Sequence, residues 1–267
     1  MEEEVRYFRF VVLSLTWFLA AWASAQEVLD VIFTAQYDNT EQKYMLLLPK
    51  NFNPNTSYDL LIALHGHGSD RRQFIENSRS ECCGTREIAA ENDMIFVSPD
   101  YRAMTSWMGP AAEADLVQIL DRLKIQYKVK RVFLCGGSMG GTAALSFGAM
   151  HPELVEGIVA MNPTANLLEY ENFQDAIAES FGGTKAEIPF EYKKRSAEYW
   201  PERLTMPVGI TVSGNDDIVP PESAMRLAKI LKQLQRDILL VHREQAGHAT
   251  NLEDTRAILE FVINRAK

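Results

Sequence analysis

The sequence predicts an α/β fold in which a mostly parallel sheet is covered by helices on both faces. Short, uninterrupted apolar runs alternate with stretches in which apolar residues recur every three or four positions. Continuous apolar strands that alternate with helices are typical of a parallel sheet buried on both sides. The 267 residues are 46% hydrophobic and 24% charged, without internal repeats, which suits one compact domain.

The apolar runs predict eight strands, of which the first two would form a hairpin. The strands are expected at residues 28–34, 44–48, 60–64, 94–97, 132–135, 157–161, 208–212 and 238–241. Helices are expected at residues 86–92, 111–127, 140–150, 222–235 and 251–265. Ligands of such sheets bind beyond the carboxyl ends of the strands, so functional residues should directly follow strands.

Residues 165–206 interrupt this alternation. They separate two predicted strands, are rich in aromatic residues, and contain two predicted helices near residues 171–181 and 189–200. We interpret the segment as a small helical lid insertion over the carboxyl edge of the sheet. The alternative is ordinary packing of these helices on the sheet.

The N-terminal residues 1–25 are predicted to be a signal peptide. Two arginines precede an apolar run at residues 10–23, and a small-x-small cleavage site follows at residues 23–25. The run is shorter than the ~20 apolar residues of a membrane span. Three glutamates at residues 2–4 are unusual for a signal peptide, and an uncleaved anchor is the alternative. We therefore expect a secreted or periplasmic domain of residues 26–267, without stable membrane association after cleavage.

Composition argues against nucleic-acid and metal-binding functions. The net charge is −9 and no run of Lys or Arg is present, so binding of DNA or RNA is not expected. The three cysteines form neither a disulfide framework nor a zinc-ligand spacing. Cys135 lies in an apolar run and is expected in the core. Cys82 and Cys83 are expected in a loop, either as free thiols or as a vicinal disulfide.

The segment Gly136-Gly137-Ser138-Met139-Gly140 matches the pattern G-x-S-x-G. An apolar strand leads into it and a helix of small residues leads out, so the serine would project from a sharp strand-to-helix turn. Glycine on each side removes Cβ atoms that would clash in such a turn. Neither a Walker loop nor a dinucleotide-binding G-x-G-x-x-G pattern is present here. Ser138 is therefore the candidate nucleophile.

This segment resembles the nucleophile elbow of the α/β-hydrolase superfamily. More narrowly, the chain is similar to secreted esterases of the feruloyl and acetyl-xylan type and to prolyl-oligopeptidase-like serine hydrolases. The resemblance covers most of residues 40–265 and is specific at the motifs. It implies a single-domain α/β-hydrolase fold without metal or organic cofactor. It also implies a catalytic triad in the chain order serine, acid, histidine.

Two histidines follow the nucleophile in suitable positions. His248 lies in a Gly-His loop after the last predicted strand, where the family places its general base, and His242 at the end of that strand is the alternative. For the acid, the family's D-x-x-V-P-like turn selects Asp216, with Asp217 as the alternative. The acid would hold the imidazole tautomer and stabilise the imidazolium.

The resemblance also implies an oxyanion hole. One donor would be the backbone N–H of Met139, which follows the nucleophile. The other would be the backbone N–H of His67, because residues 65–68 match the family's His-Gly-x-Gly pattern. Such donors stabilise the negative charge that develops on the attacked carbonyl oxygen.

Three further residues follow predicted strands and are expected to line the substrate pocket. They are Tyr101, Trp107 and Asn162. Arg71 follows the oxyanion segment and is expected to be solvated surface charge, with pairing to an acidic substrate group as the alternative.

Together these features predict a secreted serine hydrolase that cleaves carboxylic esters through an acyl-enzyme. Its substrate would be an acylated polysaccharide or a small aromatic ester. One alternative is a prolyl-oligopeptidase-like peptidase, although such enzymes usually carry a large upstream domain for which we expect no room here. The other is a non-catalytic ligand-binding relative, which would have no need to keep serine, acid and histidine together.

Overall fold

The computed structural model of the chain describes residues 28–266, and the predicted signal peptide lies outside them. These residues form one sheet in the order β1-β2-β4-β3-β5-β6-β7-β8. Its strands are β1 Val28–Thr34, β2 Glu41–Leu47, β3 Tyr58–Leu64, β4 Ile95–Pro99, β5 Val129–Gly137, β6 Gly157–Met161, β7 Val208–Ser213 and β8 Ile238–Arg243. β2 pairs antiparallel with β1 and β4, and all other neighbours pair parallel. The mostly parallel sheet is confirmed.

Eight α-helices connect the strands within the described part of the chain. They are α1 Gln73–Glu76, α2 Ser80–Glu91, α3 Pro110–Gln126, α4 Met139–Met150, α5 Gln174–Phe181, α6 Pro189–Lys194, α7 Glu222–Gln233 and α8 Leu252–Arg265. Two 3₁₀ turns follow α6, at Ala197–Tyr199 and Pro201–Arg203. No helix within residues 28–266 combines the length and apolarity that a membrane crossing requires.

The sheet is buried on both faces. Side chains of β3 alternate between them: Leu60, Ile62 and Leu64 join a core with α3, α4 and α7, whereas Leu61 and Ala63 join a core with α2 and α8. Because both faces are apolar, the strands read as continuous hydrophobic runs rather than as alternating ones.

The cysteines differ from expectation in one respect. Cys82 and Cys83 lie on α2, which begins at Ser80 rather than at residue 86, because its polar first turn carries no apolar periodicity. All three thiols are free, so the vicinal disulfide is not formed. Cys82 and Cys135 are buried, and burial raises the pKa of Cys82 to about 12 and that of Cys135 further. Cys83 is partly exposed.

Most of the 165–206 insertion packs on the body of the domain. The guanidinium of Arg195 is fully buried and bonds Glu113 of α3 at 2.7 Å and the carbonyl of Met108 at 2.5 Å. Burial opposes ionisation of Glu113, but its hydrogen bond with His151 and the charge of Arg195 hold its pKa at about 2. Ion pairs thus hold the insertion on the domain, and of its residues Phe173 alone lines the cavity that Ser138 also lines.

Candidate active site

Ser138 occupies the turn between β5 and α4. Its backbone has φ 57° and ψ −122°, a conformation that L-residues rarely adopt outside strained functional turns. The backbone N–H of Ser138 donates to the carbonyl of Met161 on β6 at 2.7 Å, which holds the turn against the neighbouring strand. The side chain lines a cavity at the carboxyl ends of the strands.

Close backbone approach explains two of the glycines in the G-x-S-x-G segment. A Cβ at Gly140 would overlap the carbonyl oxygen of Leu64 on β3, and a Cβ at Gly136 would overlap the backbone of Gly140. A Cβ at Gly137 would meet nothing within 4 Å. The fold therefore requires glycine at positions 136 and 140 but not at 137.

His248 and Asp216 form a hydrogen-bonded pair. His248 Nδ1 lies 2.6 Å from Asp216 Oδ2, and the Asp216 side chain is fully buried. The other carboxylate oxygen, Oδ1, accepts from the backbone N–H groups of Ile218 at 3.0 Å and Val219 at 2.9 Å. Asp217 is exposed, and within the described residues no hydrogen bond or ion pair joins it to His248. The structure thus joins Asp216, and not its neighbour, to the histidine.

The two candidate histidines lie in different surroundings. His242 is exposed on β8, where it pairs beside Val212 of β7. His248 lies in the loop before α8 and lines the same cavity as Ser138. Within the described residues no hydrogen bond joins the Ser138 hydroxyl to the His248 imidazole. Catalytic hydrogen bonds of this kind often tighten only in the substrate complex.

The cavity has a volume of about 360 Å³ and is lined mainly by loop residues. Its lining comprises Gly66, His67, Gly68, Ser69, Gln73, Asn77, Arg79, Glu81, Gly137, Ser138, Met161, Asn162, Phe173, Ile218, His248, Ala249 and Thr250. Polar side chains from α1 and the segment after it form one wall. The exposed apolar side chains of Phe173 and Ile218 also line the cavity.

Two backbone N–H groups near Ser138 are available to an oxyanion. The N–H of His67 makes no hydrogen bond within the described residues, although its neighbours do: Gly66 N–H donates to Gln73 Oε1 at 2.7 Å and Gly68 N–H to the carbonyl of Met104 at 2.8 Å. Met139 is the first residue of α4, where an N–H has no intrahelical partner. Both predicted donors thus have no hydrogen-bond partner in the part of the chain that the structure describes.

The loop that carries His67 is held from below by buried polar contacts. His65 is fully buried, with Nδ1 2.8 Å from the carbonyl of Gly66 and Nε2 3.0 Å from the carbonyl of Asp100. Burial lowers the pKa of His65. Its own carbonyl accepts from the Tyr101 hydroxyl at 2.5 Å. These contacts fix the loop relative to the segment that follows β4.

The predicted pocket residues have three different positions. Asn162 lines the cavity, where its Oδ1 accepts from the Ser213 hydroxyl at 3.3 Å. Tyr101 is 1% exposed and supports the loop from beneath, so it does not line the cavity. Trp107 is fully buried and its ring lies behind Phe173, with centroids 5.6 Å apart. Both residues follow β4, but their backbones turn the side chains into the core.

Arg71 is not the solvated surface charge that its sequence position suggests. Its side chain is 9% exposed and bonds Asp30 of β1 at 2.8 Å and Asp100 at 3.1 Å. The backbone N–H of Arg71 also donates to Asp100 Oδ1 at 3.0 Å. An arginine with two carboxylate partners is held in place, so Arg71 connects the edge strand to the loop that carries His67.

Among the cavity residues that sequence reasoning does not predict, four polar ones lie close together in the chain: Gln73, Asn77, Arg79 and Glu81. They belong to α1 and the segment up to the first turn of α2, which is too short and polar to show periodicity. Their position soon after β3 is the one signal that could have indicated a place at the rim. Among residues 28–266, no group of three or more His, Cys, Asp or Glu is arranged to hold a metal ion.

Comparison with known proteins identifies the family. The model of the prolyl oligopeptidase family matches residues 87–267, which include Ser138, Asp216 and His248. The chain belongs to the prolyl oligopeptidase family. It is therefore a member of a serine hydrolase superfamily whose solved relatives include both peptidases and esterases. None of the curated proteins compared with the chain matches it in sequence.

Solved structures with the same fold include enzymes of both kinds. An acylaminoacyl peptidase of Pyrococcus horikoshii matches with a TM-score of 0.68 and 14% identity over 91% of this chain, which spans 42% of the peptidase. A fluorophosphonate-binding serine hydrolase of Staphylococcus aureus matches with a TM-score of 0.69 and 15% identity, over 89% of this chain and 98% of that one. A ferulic acid esterase of Anaeromyces mucronatus matches with a TM-score of 0.64 and 19% identity, over 89% of both chains. These similarities establish the α/β-hydrolase fold.

Proposed function

We propose that this protein is a serine esterase that cleaves carboxylic esters through an acyl-enzyme formed on Ser138. One arrangement supports this proposal: Ser138 and the paired His248 open into a single cavity beside the two unpartnered amides of His67 and Met139. Nucleophile, base, orienting acid and oxyanion donors are the complete set that acyl transfer requires.

In the proposed reaction His248 Nε2 removes the proton of Ser138 as the Oγ attacks the ester carbonyl. Asp216 accepts the Nδ1–H of His248, which leaves Nε2 unprotonated and stabilises the imidazolium that forms. The carbonyl oxygen becomes an oxyanion that accepts from the amides of Met139 and His67. Each such donor contributes ~3 kcal/mol of transition-state stabilisation.

The tetrahedral intermediate then collapses. The bond between the carbonyl carbon and the alcohol oxygen breaks, and the alcohol leaves with the proton from His248. Water attacks the acyl-enzyme, giving its proton to His248, and the acid is released as Ser138 regains its hydrogen. No step requires a metal or an organic cofactor.

The size of the site fits an ester substrate. Its volume of about 360 Å³ is near the lower end of ligand pockets, which hold ~300–1,000 Å³. A small acyl group fits such a space. The ferulic acid esterase, with mutual coverage of 89%, is a relative of matching size. An aromatic ester or an acylated polysaccharide that presents one acyl group at a time is the substrate we propose.

Peptide hydrolysis is the second candidate, and the family match favours it. The same nucleophile, base and oxyanion donors serve amide and ester cleavage. The two candidates differ in the leaving group, which is an alcohol in an ester and an amine, a poorer leaving group, in a peptide. They are therefore separated by substrate preference rather than by geometry.

The test is hydrolysis of p-nitrophenyl acetate and butyrate by the wild type, Ser138→Ala and Ser69→Ala. Ser69 also lines the cavity, so its variant controls for loss of a hydroxyl there. Activity in the wild type and Ser69→Ala but not in Ser138→Ala is expected. Cleavage of proline-containing p-nitroanilides without ester cleavage would establish the peptidase instead. A folded wild type that cleaves neither class of substrate would favour the hypothesis of a non-catalytic ligand-binding protein.

We also propose that the protein is exported and that residues 1–25 are removed. The apolar run at residues 10–23 and the small-x-small site at residues 23–25 support this. The full chain would be expressed in a bacterial host and fractionated, and its first residue determined. An N-terminus at Gln26 in the periplasm or medium is expected. An intact chain that sediments with membranes would establish the anchor.

A further inference from the structure

Gln73 lies in the wall of the catalytic cavity, and the proposed reaction gives it no role. It is the first residue of α1 and is partly buried. Its Oε1 accepts from the backbone N–H of Gly66 at 2.7 Å. Because a backbone N–H only donates, this contact fixes the carboxamide with its oxygen toward Gly66. Its Nε2 is thereby assigned to the other side of the group.

The Nε2 donors of Gln73 have no hydrogen-bond partner within residues 28–266. Gln73 lines the same cavity as Ser138. Nε2 is not one of the buried side-chain atoms that lack a partner, so it is accessible to solvent. Two donors in the lining of the cavity that holds Ser138 are therefore free to meet a substrate atom that accepts hydrogen bonds.

Other residues add polar and apolar side chains to the cavity lining. The side chain of Arg79 also lines the cavity and is 66% exposed, with a single long contact of 3.8 Å to Glu81. The cavity lining also includes the exposed apolar side chains of Phe173 and Ile218. A site with both polar and apolar lining distinguishes an oxygen-bearing substituent from a hydrocarbon one.

We propose that Gln73 is a specificity-determining residue that donates from Nε2 to an oxygen of the substrate outside the reacting ester group. The favoured substrates are esters with an ether or hydroxyl oxygen close to the reacting carbonyl, on the acyl or on the alcohol side. Hydroxy acids and sugars have this chemistry. The inference rests on the proposed esterase function, since it assumes that Ser138 acts on an ester in this cavity.

Two variants isolate the donor. Gln73→Glu keeps an acceptor oxygen for the Gly66 N–H but replaces the donor by a second carboxylate oxygen. Gln73→Met removes the donor without adding charge, so it excludes an effect of the new negative charge on the oxyanion. Thermal unfolding of both variants identifies any loss of folding.

Two isosteric substrate pairs test the two sides of the ester. On the acyl side, p-nitrophenyl methoxyacetate is compared with p-nitrophenyl butyrate, and on the alcohol side methoxyethyl acetate with butyl acetate. The oxygen preference is the ratio of kcat/KM within a pair, and differences in intrinsic reactivity cancel when this ratio is compared between variants. We expect both variants to lower the preference about threefold to tenfold in one pair, as the loss of one neutral hydrogen bond predicts.

Equal oxygen preferences in the wild type and both folded variants, in both pairs, would overturn the inference while leaving the esterase function intact. A wild type that hydrolyses none of these esters would overturn the esterase function and the inference with it. A drop confined to Gln73→Glu would assign the effect to charge and also overturn the role of Nε2.

Discussion

Replacing Asp216 with asparagine would invert the histidine tautomer without disturbing the loop. In the structure Asp216 Oδ1 accepts from the N–H groups of Ile218 and Val219, and Oδ2 faces His248 Nδ1. Asparagine has one side-chain oxygen, and the two backbone donors require it to remain at the Oδ1 position. Its NH₂ group, which only donates, must then face His248.

The consequence for His248 follows from its two nitrogens. Nδ1 must become the acceptor from the asparagine, so the proton of the neutral ring moves to Nε2. Nε2 is the atom that should accept the Ser138 proton, and in this tautomer it cannot. A wrong tautomer of this kind lowers kcat ~10⁴-fold in a serine protease triad. That factor corresponds to about 5 kcal/mol of activation free energy.

The assay is steady-state hydrolysis of p-nitrophenyl butyrate by the wild type, Asp216→Asn and Asp217→Asn. Asp217 is the adjacent, exposed carboxylate, which no hydrogen bond or ion pair joins to His248 within the described residues, so its variant should retain the wild-type kcat. Thermal unfolding of Asp216→Asn should stay close to that of the wild type because both backbone hydrogen bonds persist. The reasoning would be refuted if folded Asp216→Asn kept more than about a tenth of kcat, or if Asp217→Asn lost as much.

Three more outcomes are expected. Gly140→Ala should abolish activity and lower the unfolding free energy by about 1–3 kcal/mol or more, whereas Gly137→Ala, with open space for its Cβ, should fold normally in denaturant titrations. A thiol reagent should label one cysteine in the native protein and three after unfolding, and Cys83→Ser should remove the native signal; a vicinal disulfide would give none. Because the pKa of Glu113 lies at about 2 in the folded chain, against an ordinary 4.5, its charge stabilises the fold above pH 4.5, and this contribution is lost as pH falls toward 2. Glu113→Gln should therefore cost about 1–3 kcal/mol in urea unfolding at pH 7 and progressively less toward pH 2, while exposed Glu179→Gln should cost nothing at either pH.

The sheet could be predicted because its strands are buried on both faces. Eight apolar runs correspond to eight strands, and only their ends differ, as at β5, which extends from Val129 to Gly137 instead of residues 132–135. The missed ends of β5 are Val-Lys-Arg and Gly-Gly, in which charged residues and glycines interrupt the apolar run. The same lack of signal concealed α1, whose four residues are too few for a helical period.

The position of a site residue can be predicted from the sequence where the residue belongs to a motif that the local backbone requires. Ser138 depends on glycines that the local backbone requires, and its motif is readable in sequence. The sequence does not decide between Asp216 and Asp217, because adjacent loop residues differ in the direction of their side chains, which depends on the folded backbone. Tyr101 and Arg71 illustrate the limit: position after a strand places a residue at the rim, but burial and ion pairing decide where its side chain goes.

Arg71 has a consequence for how the protein responds to heat. It connects Asp30 of β1, a strand paired on one side only, to the segment that holds the loop of His67. Separation of β1 from the sheet would remove one of the two carboxylate partners of Arg71 and weaken the support of that loop while the central strands remain paired. The temperature at which the rate begins to fall would then be set by the separation of this outermost strand, below the temperature at which the core melts.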